Sequence, residues 1–184
     1  MIIFMILYGS TKKFFLIYLF VLIHEMFHVA VAKAFGMKTD KIILYGLGAN
    51  ARIINFNNAN MQKKFLILMA GPLSNLFLYL IFKFFFANKF CAATNIFLCI
   101  FNLLPVYPLD GGRIFLLALK KMFGLQANKF FICFNHFFII SLIFLGIVQF
   151  FIFMPNFSLF SIALYLTYVN KKSFMDLFCD LYLY

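Results

Sequence analysis

Val21-Leu22-Ile23-His24-Glu25-Met26-Phe27-His28-Val29-Ala30 sets two histidines and a glutamate inside an apolar run that extends from Phe14 to Phe35. Residues four apart on a helix stack one turn above each other, so His24 and His28 would share a face. Two neutral imidazoles so placed can hold one Zn²⁺, and Glu25 beside them can accept a proton from a water activated there. Glu25 is also the only glutamate in the chain. A greasy helix with the chain's sole Glu between two histidines does not need that residue for packing.

The surrounding composition says what kind of solvent the helix meets. Of 184 residues, 66% are hydrophobic and 11% charged, with a mean hydropathy of +1.02. These values lie far outside the range of water-soluble domains. Several apolar runs reach or approach the roughly 20 residues that a spanning helix needs. The expected fold is an all-α polytopic helix bundle of about five spans. The net charge of +11 comes from basic residues scattered in ones and twos, with no basic stripe, which excludes nucleic acid as a partner. Cys91, Cys99, Cys133 and Cys179 show no C-x-x-C spacing, so neither a disulfide framework nor a cysteine metal site is read. The 31 phenylalanines fit an AT-rich coding bias and carry little functional weight.

Outward from the opening stretch, helix 14–35 ends at Gly36. Lys12-Lys13, the apolar run and Ala30-Val31-Ala32 imitate a secretory leader. The run is about 22 residues long and polar at its centre, so it reads as a retained helix. Residues 1–8 read as the end of a shortened helix hairpin. Between 37 and 64 lie two β-branched-rich stretches, 41–45 and 51–56, a hairpin or re-entrant loop at the membrane surface. A second helix, 65–86, contains Ala70-Gly71-Pro72-Leu73-Ser74-Asn75. Pro72 should kink it, small residues should admit a close neighbour, and Asn75 needs a partner at membrane depth. Segment 90–122 is too long for one plain helix and is broken at Asn102-Leu103-Leu104-Pro105-Val106-Tyr107-Pro108-Leu109-Asp110-Gly111-Gly112, where extended backbone is expected. Helices at 130–153 and 157–169 follow, then a tail in which Asp176 and Asp180 read as an exposed face. His136 reads as a hydrogen bonder in the bundle interior. The chain is expected to be one domain over 1–184, with a core at 14–121 and accessory helices and tail at 130–184.

Charge orients the bundle. With the C-terminal end of the first helix in the cytoplasm, that side carries Lys33, Lys38, Lys41, Arg52, Lys63, Lys64, Lys120, Lys121, Lys129, Lys171 and Lys172, eleven in all, against Lys12, Lys13, Lys83 and Lys89, four, on the other. His28 then lies roughly 10 Å below the cytoplasmic surface, at about 1.5 Å per residue.

Only two acids fall within apolar spans, Glu25 and Asp110. An acid at membrane depth marks a functional site by default. Asp110 could cap the second half of its segment. The economical alternative brings it to His24 and His28 as a third ligand, with a fourth position open for water, the pattern of catalytic zinc.

His24-Glu25-Met26-Phe27-His28, then Ala70-Gly71-Pro72-Leu73-Ser74-Asn75, then Asn102-x-x-Pro105-x-x-x-x-Asp110-Gly111 resemble the site-2 protease family of intramembrane metalloproteases. The order and spacing match from about 14 to 121. The run through Gly112 is most similar to the stage IV sporulation FB branch, which implies a membrane-tethered pro-sigma factor as substrate. The resemblance implies Zn²⁺ on His24, His28 and Asp110, Glu25 as general base, and Asn102, with Pro105 beside it, near the substrate. Asn102 could equally be interhelical glue. The CBS and PDZ domains of some members are not expected, and control would fall to membrane regulatory proteins. The resemblance implies a bacterial cell membrane; the oligomeric state stays open. The rival reading is a non-proteolytic metal-binding protein or a metal-ion transporter, but a transporter would carry more than one acid–histidine cluster along a path.

Overall fold

In a computed structural model of the chain, the described residues are 11–45, 48–54, 56–152, 164–168 and 170. They fall into two compact units, Met1–Asn102 and Leu103–Tyr184. The first eight residues, the tail from 171 and most of the 157–169 helix lie outside the described residues, although 164–168 is helical.

In the first unit, α1 (Thr11–Ala34) carries the two histidines. It ends where Gly36 takes a φ of +75°, the Gly36 N–H donating to the Lys33 carbonyl and the Met37 N–H to that of Ala32. An antiparallel hairpin follows, β1 (Thr39–Tyr45) with β2 (Gly48–Ile53), beside α1. The second strand starts at Gly48 rather than at 51, because Gly48, Ala49 and Asn50 pair with Tyr45, Leu44 and Ile43. Cross-strand hydrogen bonding overrides the turn propensity of those three small or polar residues. The helix α2 (Met61–Phe84) starts at the N-cap Asn60 and contains Pro72. The third helix, α3 (Lys89–Asn102), has the Asn88 side chain accepting from the Cys91 N–H at its start.

The helix α2 packs against both α1 and α3, and its two faces show which medium each meets. Leu73, Leu76, Phe77, Leu80 and Phe84 form an exposed stripe of large apolar side chains. The opposite stripe, Ile67, Gly71, Ser74 and Asn75, is buried and rich in small or polar residues. Lipid accepts the large face. The small face lets helix backbones come close, where packing and hydrogen bonds hold them.

In the second unit, the broken segment resolves into Leu103–Leu109, a bend, and α4 (Asp110–Phe123). The bend is not one extended strand as the prolines suggest. It makes two tight turns, closed by Val106 N–H to the Leu104 carbonyl (2.8 Å) and Leu109 N–H to the Val106 carbonyl (3.0 Å). Pro105 and Pro108 have no N–H for a strand ladder, and local turns satisfy the backbone instead. A short 3₁₀ turn at Gly124–Gln126 leads into α5 (Ala127–Ile152). Leu119, Ala127 and Phe131 form the α4–α5 core, with Phe115, Leu116 and Tyr107 against it.

Among the described residues, three segments are long and apolar enough to span a bilayer: Phe15–Ala34, Met61–Phe84 and Asp110–Val148; the last contains the 3₁₀ turn, so its spanning part is α5. The chain is a polytopic integral-membrane protein of all-α class with one small hairpin. His136 is corrected by the structure: it lies on the exposed side of α5, its Nδ1 on the Ile132 carbonyl of its own helix, while the adjacent Asn135 faces inward. One residue is a rotation of about 100° on a helix, enough to exchange interior and exterior. Cys91, Cys99 and Cys133 are free thiols.

Between α2 and α3, Ala87 holds a φ of +49°. The left-handed region costs a Cβ-bearing residue about 1 kcal/mol relative to glycine. Ala87→Gly should therefore raise thermal stability in detergent by roughly that amount; a lower melting temperature would show that the turn is not strained.

Candidate metal centre

In hydrocarbon each imidazole must place its ring hydrogen on an acceptor, and both histidines of α1 do so with Nδ1. The His28 Nδ1–H donates to the Ile67 carbonyl at 2.6 Å. A carbonyl only accepts, so a neutral ring carries its proton on Nδ1 and its lone pair on Nε2. Pro72, five residues on, cannot donate to the neighbouring Leu68 carbonyl, which loosens the α2 ladder in this turn.

For His24 the same assignment is enforced from further away. Its Nδ1 meets Asn75 Oδ1 at 2.7 Å; Asn75 Nδ2 donates to Asn95 Oδ1 at 3.4 Å, and Asn95 Nδ2 donates to the Cys91 carbonyl at 2.9 Å. The terminal carbonyl can only accept, so each amide is oriented in turn and His24 Nδ1 must carry its hydrogen. Asn75 and Asn95 are both 0% exposed, so no water competes for these bonds. Partners of this kind fix the tautomer and ring orientation of metal-binding histidines.

Both Nε2 atoms consequently present lone pairs, and they stand 3.2 Å apart. Two lone pairs at that distance repel unless a cation or a shared proton lies between them. A tetrahedral ion with bonds of about 2.0 Å has ligand–ligand edges of roughly 3.3 Å. Gly71 makes the space: a Cβ there would overlap His24 Nε2 and Cε1 and His28 Nε2. Small residues in α2 were expected to admit a neighbour, and the neighbour is this imidazole pair.

Asp110 is the first residue of α4 and Leu109 its N-cap, so the aspartate does not occupy the capping position. Among the described residues, His24, His28 and Asp110 form a group of potential ligands whose donor atoms all lie within 4.8 Å of one another. Two neutral nitrogens, a carboxylate and a tetrahedral edge fit zinc. Glu25 is half-buried next to His24. Asn102, the last residue of α3, donates its amide to the Leu98 carbonyl of its own helix at 3.1 Å, and Pro105 lies in the bend.

Three buried asparagines escape a motif reading: Asn95, Asn135 and Asn170. Asn95 had a usable signal, the single side-chain amide in the apolar run from Cys91 to Ile100. Such a group must find a partner at membrane depth.

Fold and site together define a polytopic membrane protein with metalloendopeptidase-like active-site geometry. The chain belongs to peptidase family M50, whose model matches residues 13–89 and 85–146, the site-2 protease type. It is 28% identical over 135 residues to stage IV sporulation protein FB of Bacillus subtilis, covering 66% of this chain and 45% of that protein. It is 33% identical over 128 residues to a zinc metalloprotease of Methanocaldococcus jannaschii, covering 63% of this chain and 37% of that protein. The chain thus spans less than half the length of these curated relatives. The solved site-2 protease of M. jannaschii matches with a TM-score of 0.64 and 25% identity, covering 84% of this chain and 74% of that one.

Gly71→Ala should abolish high-affinity zinc binding, read by competition with a fluorescent chelator, because the methyl occupies the imidazole edge. Asn75→Leu should weaken binding by about tenfold or more, as loss of a ligand's hydrogen-bond partner does. An Asn75→Leu protein with wild-type affinity would sink the tautomer argument.

Proposed function

We propose that the chain is an intramembrane zinc metalloprotease that hydrolyses a peptide bond of a membrane-associated protein within or next to the bilayer. The observation that carries it is the pair of Nε2 atoms 3.2 Å apart, with Asp110 in the same ligand group and Glu25 next to His24 in the chain. His24, His28 and Asp110 would hold the ion, which when bound supplies a Lewis acid that acidifies water and polarises a carbonyl.

The remaining chemistry belongs to side chains of the chain. Glu25 takes a proton from the attacking water as its oxygen adds to the scissile carbonyl carbon. The same carboxyl then gives that proton to the departing amide nitrogen as the C–N bond breaks. Asn102, with Pro105 beside it, contacts the substrate backbone. A helical substrate must unwind to expose one peptide bond, and the two-stranded hairpin β1–β2 can take the unwound strand by strand addition. The charge bias supports an opening of the site towards the cytoplasm. The whole chain acts as one protease domain in a bacterial cell membrane.

The finer reading of the substrate is a membrane-tethered transcription factor, a pro-sigma factor in the sporulation setting. Similarity to stage IV sporulation protein FB supports it. Control would come from membrane regulatory proteins.

Co-expression with candidate tethered factors tests this. Glu25→Gln should lower cleavage by about a hundredfold or more while zinc is retained. His24→Ala should lose both. Chelation should stop cleavage and added zinc restore it. Zinc binding without cleavage of any tethered factor, unchanged by Glu25→Gln, would point to a non-proteolytic metal-binding protein instead.

A further inference from the structure

The bend before Asp110 has a polar problem at Tyr107. Neither its N–H nor its carbonyl takes part in the two turns that close the bend. The Tyr107 N–H donates to Asn135 Oδ1 at 2.9 Å, Asn135 Nδ2 donates to Asn170 Oδ1 at 3.0 Å, and Asn170 Nδ2 donates back to the Tyr107 carbonyl at 2.6 Å. The bonds form a closed ring with one sense of donation. Asn170 Nδ2 also reaches the Leu166 carbonyl at 2.7 Å, which fixes which end of its amide faces the bend. Two side-chain amides thus do for Tyr107 what a neighbouring strand does in a sheet. Asn135 is 0% exposed and Asn170 3%.

The same two helical faces hold the residue before it. Val106, 0% exposed, packs with Ile139, one turn after Asn135, and with Leu166, one turn before Asn170. An apolar plug and a polar ring therefore pin consecutive residues of the bend. Little slack remains between there and Asp110. Leu109 N–H bonds the Val106 carbonyl and Arg113 N–H the Leu109 carbonyl. Gly111 lies against the Leu103 and Leu104 carbonyls and Gly112 against the Val106–Tyr107 peptide, so closely that a Cβ at either would overlap them. A displacement of Tyr107 is carried into the first turn of α4.

We propose that Asn135 and Asn170 are positioning residues: they clamp the Tyr107 peptide and thereby set the carboxylate of Asp110 for metal binding. The inference rests on the zinc reading of the site. It gives the 130–184 region a role in the active site that its place outside the motifs does not suggest.

Asn135→Leu and Asn170→Leu in the full chain test it, with Asn135→Ser as a milder change whose hydroxyl can bond its own helix if the leucine variants fail to fold. Zinc affinity is measured by chelator competition, and amide hydrogen exchange across 103–109 in the metal-free protein. Exchange at Tyr107 should rise by about tenfold or more, and zinc affinity should fall by about tenfold or more. Because both residues close one ring, the double variant should be no worse than the weaker single. A merely structural role would lower the melting temperature and leave the zinc affinity of the folded protein unchanged. Unchanged exchange, unchanged affinity, or additive effects overturn the inference. Failure of the underlying zinc reading shows separately, as absent binding in the wild-type protein.

Discussion

Hydrocarbon offers no water, so every polar group at membrane depth must be answered by another part of the chain. That constraint links the described interior of this protein. It explains why the buried side chains of α2 and α3 include Asn75 and Asn95, and why these two meet each other rather than lipid. It also explains how the chain itself orients the two imidazoles. A histidine in water could carry its proton on either nitrogen, but His24 and His28 each meet an oxygen acceptor at Nδ1.

The two polar networks share a design. Each ends on a backbone carbonyl that can only accept: Cys91 for the path to His24, Leu166 for the ring around Tyr107. A carbonyl of that kind sets the direction of every amide in line with it. Asparagine suits this task because one side chain both donates and accepts, so it passes orientation along without carrying charge. An ionised carboxylate only accepts and a lysine only donates, and either would add a large desolvation cost.

Small residues give the backbones the closeness that these bonds need. Gly71 lies on the imidazole edges of α1, and Gly111 and Gly112 lie on the carbonyls of the bend. Each is a position where a methyl group has nowhere to go. Because lipid exerts no hydrophobic pressure between helices, such contacts hold the first unit together along the inner stripe of α2, while Phe77 and Phe84 face outward.

The sequence by itself determined the membrane class, the apolar helices, the break after Asn102 and the trio His24, Glu25 and His28 in α1, because hydropathy, prolines and i, i+4 spacing are local properties. It also marked Asp110 as an acid with a reason to be there. Its boundaries for the hairpin were local too, and they moved when Gly48 to Asn50 paired with Ile43 to Tyr45. What only the tertiary structure decided is which polar group answers which. Asn75 was legible as needing a partner, but not that His24 was the partner; Asn135 and His136 differ by one step along α5, and only packing shows that the asparagine is inside. Hydrogen-bond partners 28 to 63 residues apart leave no periodic trace in a sequence. They are selected by which helix faces meet, and that is settled only when the chain has folded.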